Sequence, residues 1–320
     1  MPSAFFVGKR SLHIQPLPSH NTLLDKWFAV EKMKVLSREA WNAERVRYRT
    51  RMEPLALERT SRMAQGTKHP VRDFLFEYYS FRPAVLLRWT PGPEVLLHEA
   101  RPAELEWSRH FTANDDGLLL EARSFPSNRR TFLNWALDYL ERIQERPALH
   151  SCFGLHEWAM VYRATDIRHT KTPLRLHSDA IADIVETETL CCTHYDAYRF
   201  FTPDAVPRNA HSLSRESTNH YDQPGCVHVT MDLYRYAYKI APWVASDLIA
   251  DAFELAWRAR ELDMRASPYD LSTYHLEPIA IETREGKEEY VLAQRELVAA
   301  AFPIRQRLIE TYRTLQEVIK

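Results

Sequence analysis

The sequence predicts a mainly α-helical fold with a few short β-strands, an α+β chain dominated by helices. Three observations lead there. Glycine is scarce, seven residues in 320, against a usual ~7 %, and folds built on hairpins or phosphate loops need glycine for positive φ. The chain is 45 % hydrophobic and 27 % charged, which is globular and not disordered. Several stretches place apolar residues at helical spacing between capping and breaking signals.

Residues 1–36 hold Pro2, Pro16 and Pro18 and little periodicity. They read as an N-terminal extension, partly disordered, and residues 37–320 read as a single helical domain. Ser37 is placed to cap a helix reaching Ala64, with Gly66 as its stop. A short apolar segment follows at 74–81, and two short strands are expected at 94–98 and 118–121. Ser127 opens an amphipathic helix to Arg146, ended by Pro147. Beyond it, 154–163 reads as a buried helix and 186–201 as a strand or strand pair. Residues 226–240 and 246–265 read as helices, 276–282 as a strand, and 285–320 as a long helix broken at Pro303.

Charge and motifs exclude several classes. Net charge is −1, yet residues 1–75 carry 14 Lys/Arg against 7 Asp/Glu. This basic N-terminal third permits DNA or a nucleoside as partner. No apolar run approaches the ~20 residues of a membrane span. The first 14 residues lack a signal-peptide core, so no membrane partner is expected. Cys152, Cys191, Cys192 and Cys226 form no C-x-x-C pair and read as reduced thiols of a cytoplasmic protein. Phosphate-loop and dinucleotide fingerprints, H-E-x-x-H, the di-iron E-x-x-H pair, G-x-S-x-G and the zinc-deaminase signature are all absent.

Polar groups among apolar neighbours mark four patches within residues 153–271. In the segment 154–163, His156, Met160 and Arg163 share one helical stripe, with Glu157 and Trp158 beside them. Buried charges need partners or a ligand. In 193–200, a strand would align His194, Asp196, Tyr198 and Phe200 on one face, next to Arg199. In 226–239, His228, Asp232, Arg235 and Lys239 form a polar seam on an otherwise apolar helix that includes Tyr234. His228 and Asp232, at i and i+4, could share a metal or a proton. The loop 262–271 gathers Asp263, Arg265, Ser267, Tyr269 and Asp270 beside a proline, where substrates are often held. Each patch also has a plainer reading: an internal ion network, a half-exposed His–Asp pair, a solvated seam, a capped turn.

Five segments carry a family resemblance. They are His69-Pro-Val-Arg-Asp-Phe-Leu-Phe, Phe153-Gly-Leu-His-Glu-Trp-Ala-Met-Val-Tyr-Arg, His194-Tyr-Asp-Ala-Tyr-Arg-Phe-Phe-Thr-Pro, Gln223-Pro-Gly-Cys-Val-His-Val-Thr-Met-Asp-Leu-Tyr and Leu262-Asp-Met-Arg-Ala-Ser-Pro-Tyr-Asp-Leu. From Ser37 onward the chain resembles a bacterial family, common in actinobacteria, of 3-methyladenine DNA glycosylases. The resemblance implies hydrolysis of a nucleobase–sugar bond, a DNA-repair role and no cofactor. It brings no catalytic residue assignment, and the glycine-containing helix-hairpin-helix of well-understood helical glycosylases is not found.

An N-glycosylase needs a carboxylate to steer water or stabilise an oxocarbenium-like state, and a pocket that stacks on the base. Asp196, Glu157, His194, His228 and Asp232 are the candidates for chemistry. His156, Arg163, Trp158, Tyr198, Arg199, Tyr234, Arg265 and Asp270 are the candidates for binding. Two alternatives stand beside this reading. One is a non-haem iron or zinc enzyme acting on a small molecule through His156, His194, Asp196, His228 and Asp232. The other is a nucleotide-binding protein without turnover.

Overall fold

A computed structural model describes residues 33–165 and 172–319 of the chain. It is mainly helical with one small sheet. The chain enters through β1 (Lys34–Leu36), so the end of the expected extension is a strand; residues 1–32 lie outside the described residues. The Ser37 hydroxyl then accepts the backbone N–H of Ala40 and starts α1 (Arg38–Ala64), whose core side holds Trp41, Tyr48, Met52 and Ala56. Two short helices follow, α2 (Phe74–Tyr78) and α3 (Pro83–Leu86). β2 (Val95–His98), β3 (Thr112–Asn114) and β4 (Gly117–Leu119) complete a sheet of order β1-β2-β4-β3. β1 runs parallel to β2, and the other pairs are antiparallel. Gly117 sits at φ +148°, and a Cβ there would lie 2.0 Å from the Leu97 carbonyl oxygen, so the β2–β4 pairing requires glycine.

α4 (Arg130–Glu145) buries Leu133, Leu137, Leu140 and Ile143 along one stripe. Its start differs from the expectation. Ser127 opens a 3-10 turn over Ser127–Arg129, and α4 begins without a side-chain cap. The chain continues through α5 (Leu155–Ala159), α6 (Ser178–Thr187), α7 (Tyr195–Tyr198) and α8 (Thr218–Tyr221). It then forms the packed layer of α9 (Val227–Lys239), α10 (Ser246–Arg265) and α11 (Arg284–Val318). α9 is buried from Val227 to Tyr234, because α10 and α11 cover it.

Four sequence expectations are corrected. The buried helix at 154–163 shrinks to one turn. Met160 N–H bonds back to His156, Val161 N–H tightens onto Trp158, and Arg163 ends at φ +51°. The strand at 186–201 does not form. Glu186 and Thr187 finish α6, and the Cys192 backbone is satisfied by the Asn209 side chain in place of a neighbouring strand. The strand at 276–282 is irregular chain, tied down by Ile279 N–H to Arg265 and by buried Ile279 and Ile281. α11 runs through Pro303 unbroken. A mid-helix proline costs about 3 kcal/mol. Ala301, Ile304, Leu308, Ile309 and Tyr312 are all buried on that helix, and each large apolar side chain returns about 1.5–3 kcal/mol.

Candidate functional site

Consecutive left-handed residues, Phe153 at φ +48° and Gly154 at φ +74°, turn the chain into α5. A Cβ on Gly154 would sit 3.1 Å from that of Ala266, so α5 packs directly against the end of α10. This contact brings the buried face of α5 onto Arg260 and Asp263 of α10. Arg260 donates to Glu157 Oε1 and to Asp263 Oδ2, both at 2.7 Å. Asp263 Oδ1 lies 2.7 Å from His156 Nε2, and His156 Nδ1 lies 3.4 Å from Cys152 Sγ. All four members from Glu157 to His156 are buried, so the charges compensate one another as burial demands. Burial works against the His156 imidazolium, but the Asp263 carboxylate and the Cys152 sulfur outweigh it and hold its pKa well above the usual value. Burial likewise opposes the Asp263 carboxylate, and His156 and Arg260 bring its pKa below normal.

Three imidazoles stand in a row. The His156 ring meets His228 edge-on at 4.7 Å, and His228 stacks on His194 at 5.2 Å. The outer two are paired. His194 Nδ1 contacts both oxygens of Asp222 at 3.1 and 3.2 Å, and Tyr139 donates to Asp222 at 2.7 Å. Burial lowers the His194 pKa, but Asp222 reverses this and raises it to about 8. The middle ring has no acidic partner: His228 Nδ1, like His194 Nε2, is buried with no hydrogen-bond partner among the described residues. Burial first, then the neighbouring His156 and His194, push its pKa well below the ordinary value, so it stays neutral.

His228, Glu157 and Arg260 form the buried end of a cavity of about 440 Å³. Phe74, Tyr78, Met160, Phe200, Tyr269 and Tyr274 supply its walls, Asp196 one side, and the exposed Lys68–Glu77 pair its open end. Arg260 lies 3.9 Å from the Phe74 ring centre. The volume falls within the ~300–1,000 Å³ of small-molecule sites. Asp196 is about a quarter exposed and contacts Arg199 at 3.2 Å and Arg235 at 3.6 Å. Arg235 also reaches the buried Asp232, which accepts from the Tyr79 hydroxyl at 2.7 Å.

The predicted residues therefore divide. Glu157, Asp196 and His228 reach the cavity. His156 and His194 stand behind it, and Arg199 braces Asp196. Asp232 is locked to Tyr79 and Arg235 and shares nothing with His228, because α9 turns the two toward different neighbours. Arg163 is a surface residue paired with Glu186 and Asp204, since the helix meant to align it ends at Ala159. Trp158 is core, its indole donating to the Ala266 carbonyl. Tyr234 belongs to an aromatic core cluster with Phe81 and Phe253. Tyr198 packs on Phe201. Arg265 bonds the Glu277 carbonyl, and Asp270 accepts the Ser272 N–H, so both serve turns.

Sequence reasoning missed Arg260, Asp222, Tyr139, Phe74, Tyr78 and Tyr274. Arg260 was detectable: it lies on the apolar side of α10, three residues before Asp263, where a lone cation demands a partner.

Of the proposed metal set, His156 and His228 come together, with Asp263 in place of His194, Asp196 and Asp232. Among the described residues, the cluster whose ligand atoms come within 4.8 Å of one another is His156, His228 and Asp263. A divalent cation there would have to displace contacts that the cluster already makes. Both Asp263 oxygens are already bonded to His156 and Arg260, and the ion would sit beside a buried guanidinium.

The described basic residues of the N-terminal third are also largely spent on ion pairs. Arg51 binds Asp251 and Glu254, Arg59 and Arg62 bind Asp73, Arg38 binds Glu104, and Arg72 binds Glu58. No described helix is long and apolar enough to cross a membrane. No family model, curated protein or solved structure matches the chain.

Proposed function

We propose that the chain is an N-glycosylase that hydrolyses a nucleobase–sugar bond, with an alkylated purine as the base. One observation carries this reading: of the carboxylates and imidazoles that line one aromatic-walled cavity, Asp73 and Glu77 are held in ion pairs with Arg59, Arg62 and Lys68 and His69 accepts backbone N–H groups, which leaves Glu157, Asp196 and a neutral imidazole, His228, to face a ligand. Its size suits a base with or without its sugar, and flat walls stack on flat ligands. The motif resemblance to 3-methyladenine DNA glycosylases points the same way.

The roles follow from the surroundings of each group. Asp196 is the more open carboxylate, so it orients the attacking water and accepts its proton. Glu157, pinned by Arg260, supplies a fixed dipole facing the oxocarbenium-like sugar. His228 meets the polar edge of the base through a ring that carries no charge. Because the described basic residues of the N-terminal third are mostly paired with acids, extended duplex binding there has little free charge to draw on.

The test is release of free base. The full chain is incubated with methylated DNA, single- and double-stranded, and with methylated purine nucleosides, and the products are separated by chromatography. Base release that is lost in Asp196→Asn supports the reading. Binding of a nucleoside without release would instead make the chain a recognition protein. The absence of both binding and release would sink the proposal.

A further inference from the structure

Cys152 has a different environment from every other cysteine in the chain. Burial pushes the thiol pKa of Cys192 and Cys226 well above normal, and it raises that of Cys191 as well. Cys152 is half-buried, and its sulfur lies 3.4 Å from His156 Nδ1. The other nitrogen of that ring is 2.7 Å from Asp263, which is buried and anchored by Arg260. Thiol, imidazole and carboxylate are thus in line, the geometry that turns a cysteine into a nucleophile. None of Cys152, His156 and Asp263 lines the cavity. The Cys191 sulfur donates at 2.9 Å to the carbonyl oxygen of Ser151, the residue that precedes Cys152.

We propose that Cys152 is a peroxide-reactive thiol activated by the His156–Asp263 pair, and that Cys191 resolves its oxidised form as a disulfide. In the first step the Cys152 sulfur attacks one oxygen of a hydroperoxide. The S–O bond forms and the O–O bond breaks. Sulfur is oxidised by two electrons to the sulfenic acid, and the departing oxygen, reduced, takes the proton held by His156 and leaves as water or an alcohol. In the second step the Cys191 sulfur attacks the sulfenic sulfur. The S–S bond forms, the S–O bond breaks, and hydroxide leaves as water with the Cys191 proton. The hydroperoxide is the only oxidant required. The reaction does not depend on what the cavity binds.

The full, reduced chain is treated with limiting hydrogen peroxide, with and without a sulfenic-acid trap such as dimedone, and mapped by mass spectrometry. With the trap, Cys152 is labelled at least about tenfold ahead of the other three cysteines. Without it, a Cys152–Cys191 disulfide accumulates. Cys191→Ser abolishes the disulfide and leaves Cys152 as a trappable sulfenic acid, and Cys152→Ser abolishes both products. His156→Gln slows Cys152 oxidation. Because that change disturbs a buried network, the wild-type ranking and the Cys191→Ser result decide. Labelling of Cys152 no faster than Cys191, or a disulfide that joins other cysteines, overturns the proposal.

Discussion

Two charge clusters flank one cavity, and they differ in how much freedom their carboxylates keep. On the α5–α10 side, Glu157, Arg260, Asp263 and His156 are all buried and joined by contacts of 2.7 Å. On the α7–α9 side, Asp196 is partly open and its guanidinium partners stand at 3.2 and 3.6 Å. The tight cluster fixes charge in place and holds two helices together. The loose cluster leaves a carboxylate that water can reach. In a hydrolase these are different duties, and residue type alone does not separate them.

The largest effect should come from breaking the tight cluster. Asp263→Asn leaves Arg260 and His156 short of their shared counter-charge, and removing one partner of a buried pair costs ~3–5 kcal/mol. Urea denaturation measures this, and a loss under ~1 kcal/mol, the range of an exposed pair, would erase the contrast between the clusters. Asp196→Asn should do the reverse. Its partly exposed, loosely spaced pairs are worth about 1 kcal/mol or less, so the fold should persist, while base release should drop ~10²-fold or more, as for loss of a general base.

A smaller effect concerns the histidine row behind the cavity. Asp222 raises His194 to about 8, above its ordinary 6.5. A raised folded pKa means the pairing contributes fully below about 6.5 and fades as pH climbs through about 8, a contribution on the order of 2 kcal/mol. NMR titration of the His194 ring and denaturation across that window check it. Asp222→Asn should remove the slope. The smallest effect belongs to Arg163→Ala, an exposed pair outside the site. It should change stability by about 0.5 kcal/mol or less, as a typical surface substitution does, and leave base release intact. Elemental analysis adds a separate check: stoichiometric iron or zinc would contradict the self-satisfied reading of His156 and Asp263.

What the sequence revealed follows the range of each interaction. Helices α1, α9 and α10 were legible because their signals are local: a serine cap, a 3.6-residue apolar period, a basic last turn. The expected strand at 186–201 was an alternation without a partner strand, and pairing cannot be read from one segment. Glu157, Asp196 and His228 stood out as polar residues in apolar company. Their partners did not. Asp222 lies 28 residues from His194, Tyr139 lies 83 from Asp222, and Arg260 lies 103 from Glu157. Only folding brings them together. Arg163 and Asp232 were misplaced for a related reason: helical spacing fixes which residues share a face, not where the helix ends or which neighbour each one meets.

The most direct test compares wild type and Asp196→Asn on the same methylated nucleoside, following free-base release by chromatography and binding by calorimetry. The expected result is that wild type releases base, whereas the variant binds the nucleoside with similar affinity and releases base ~10²-fold more slowly or not at all. Release at the wild-type rate by Asp196→Asn, or no release by wild type, would contradict the assignment of the open carboxylate to chemistry and the buried cluster to support.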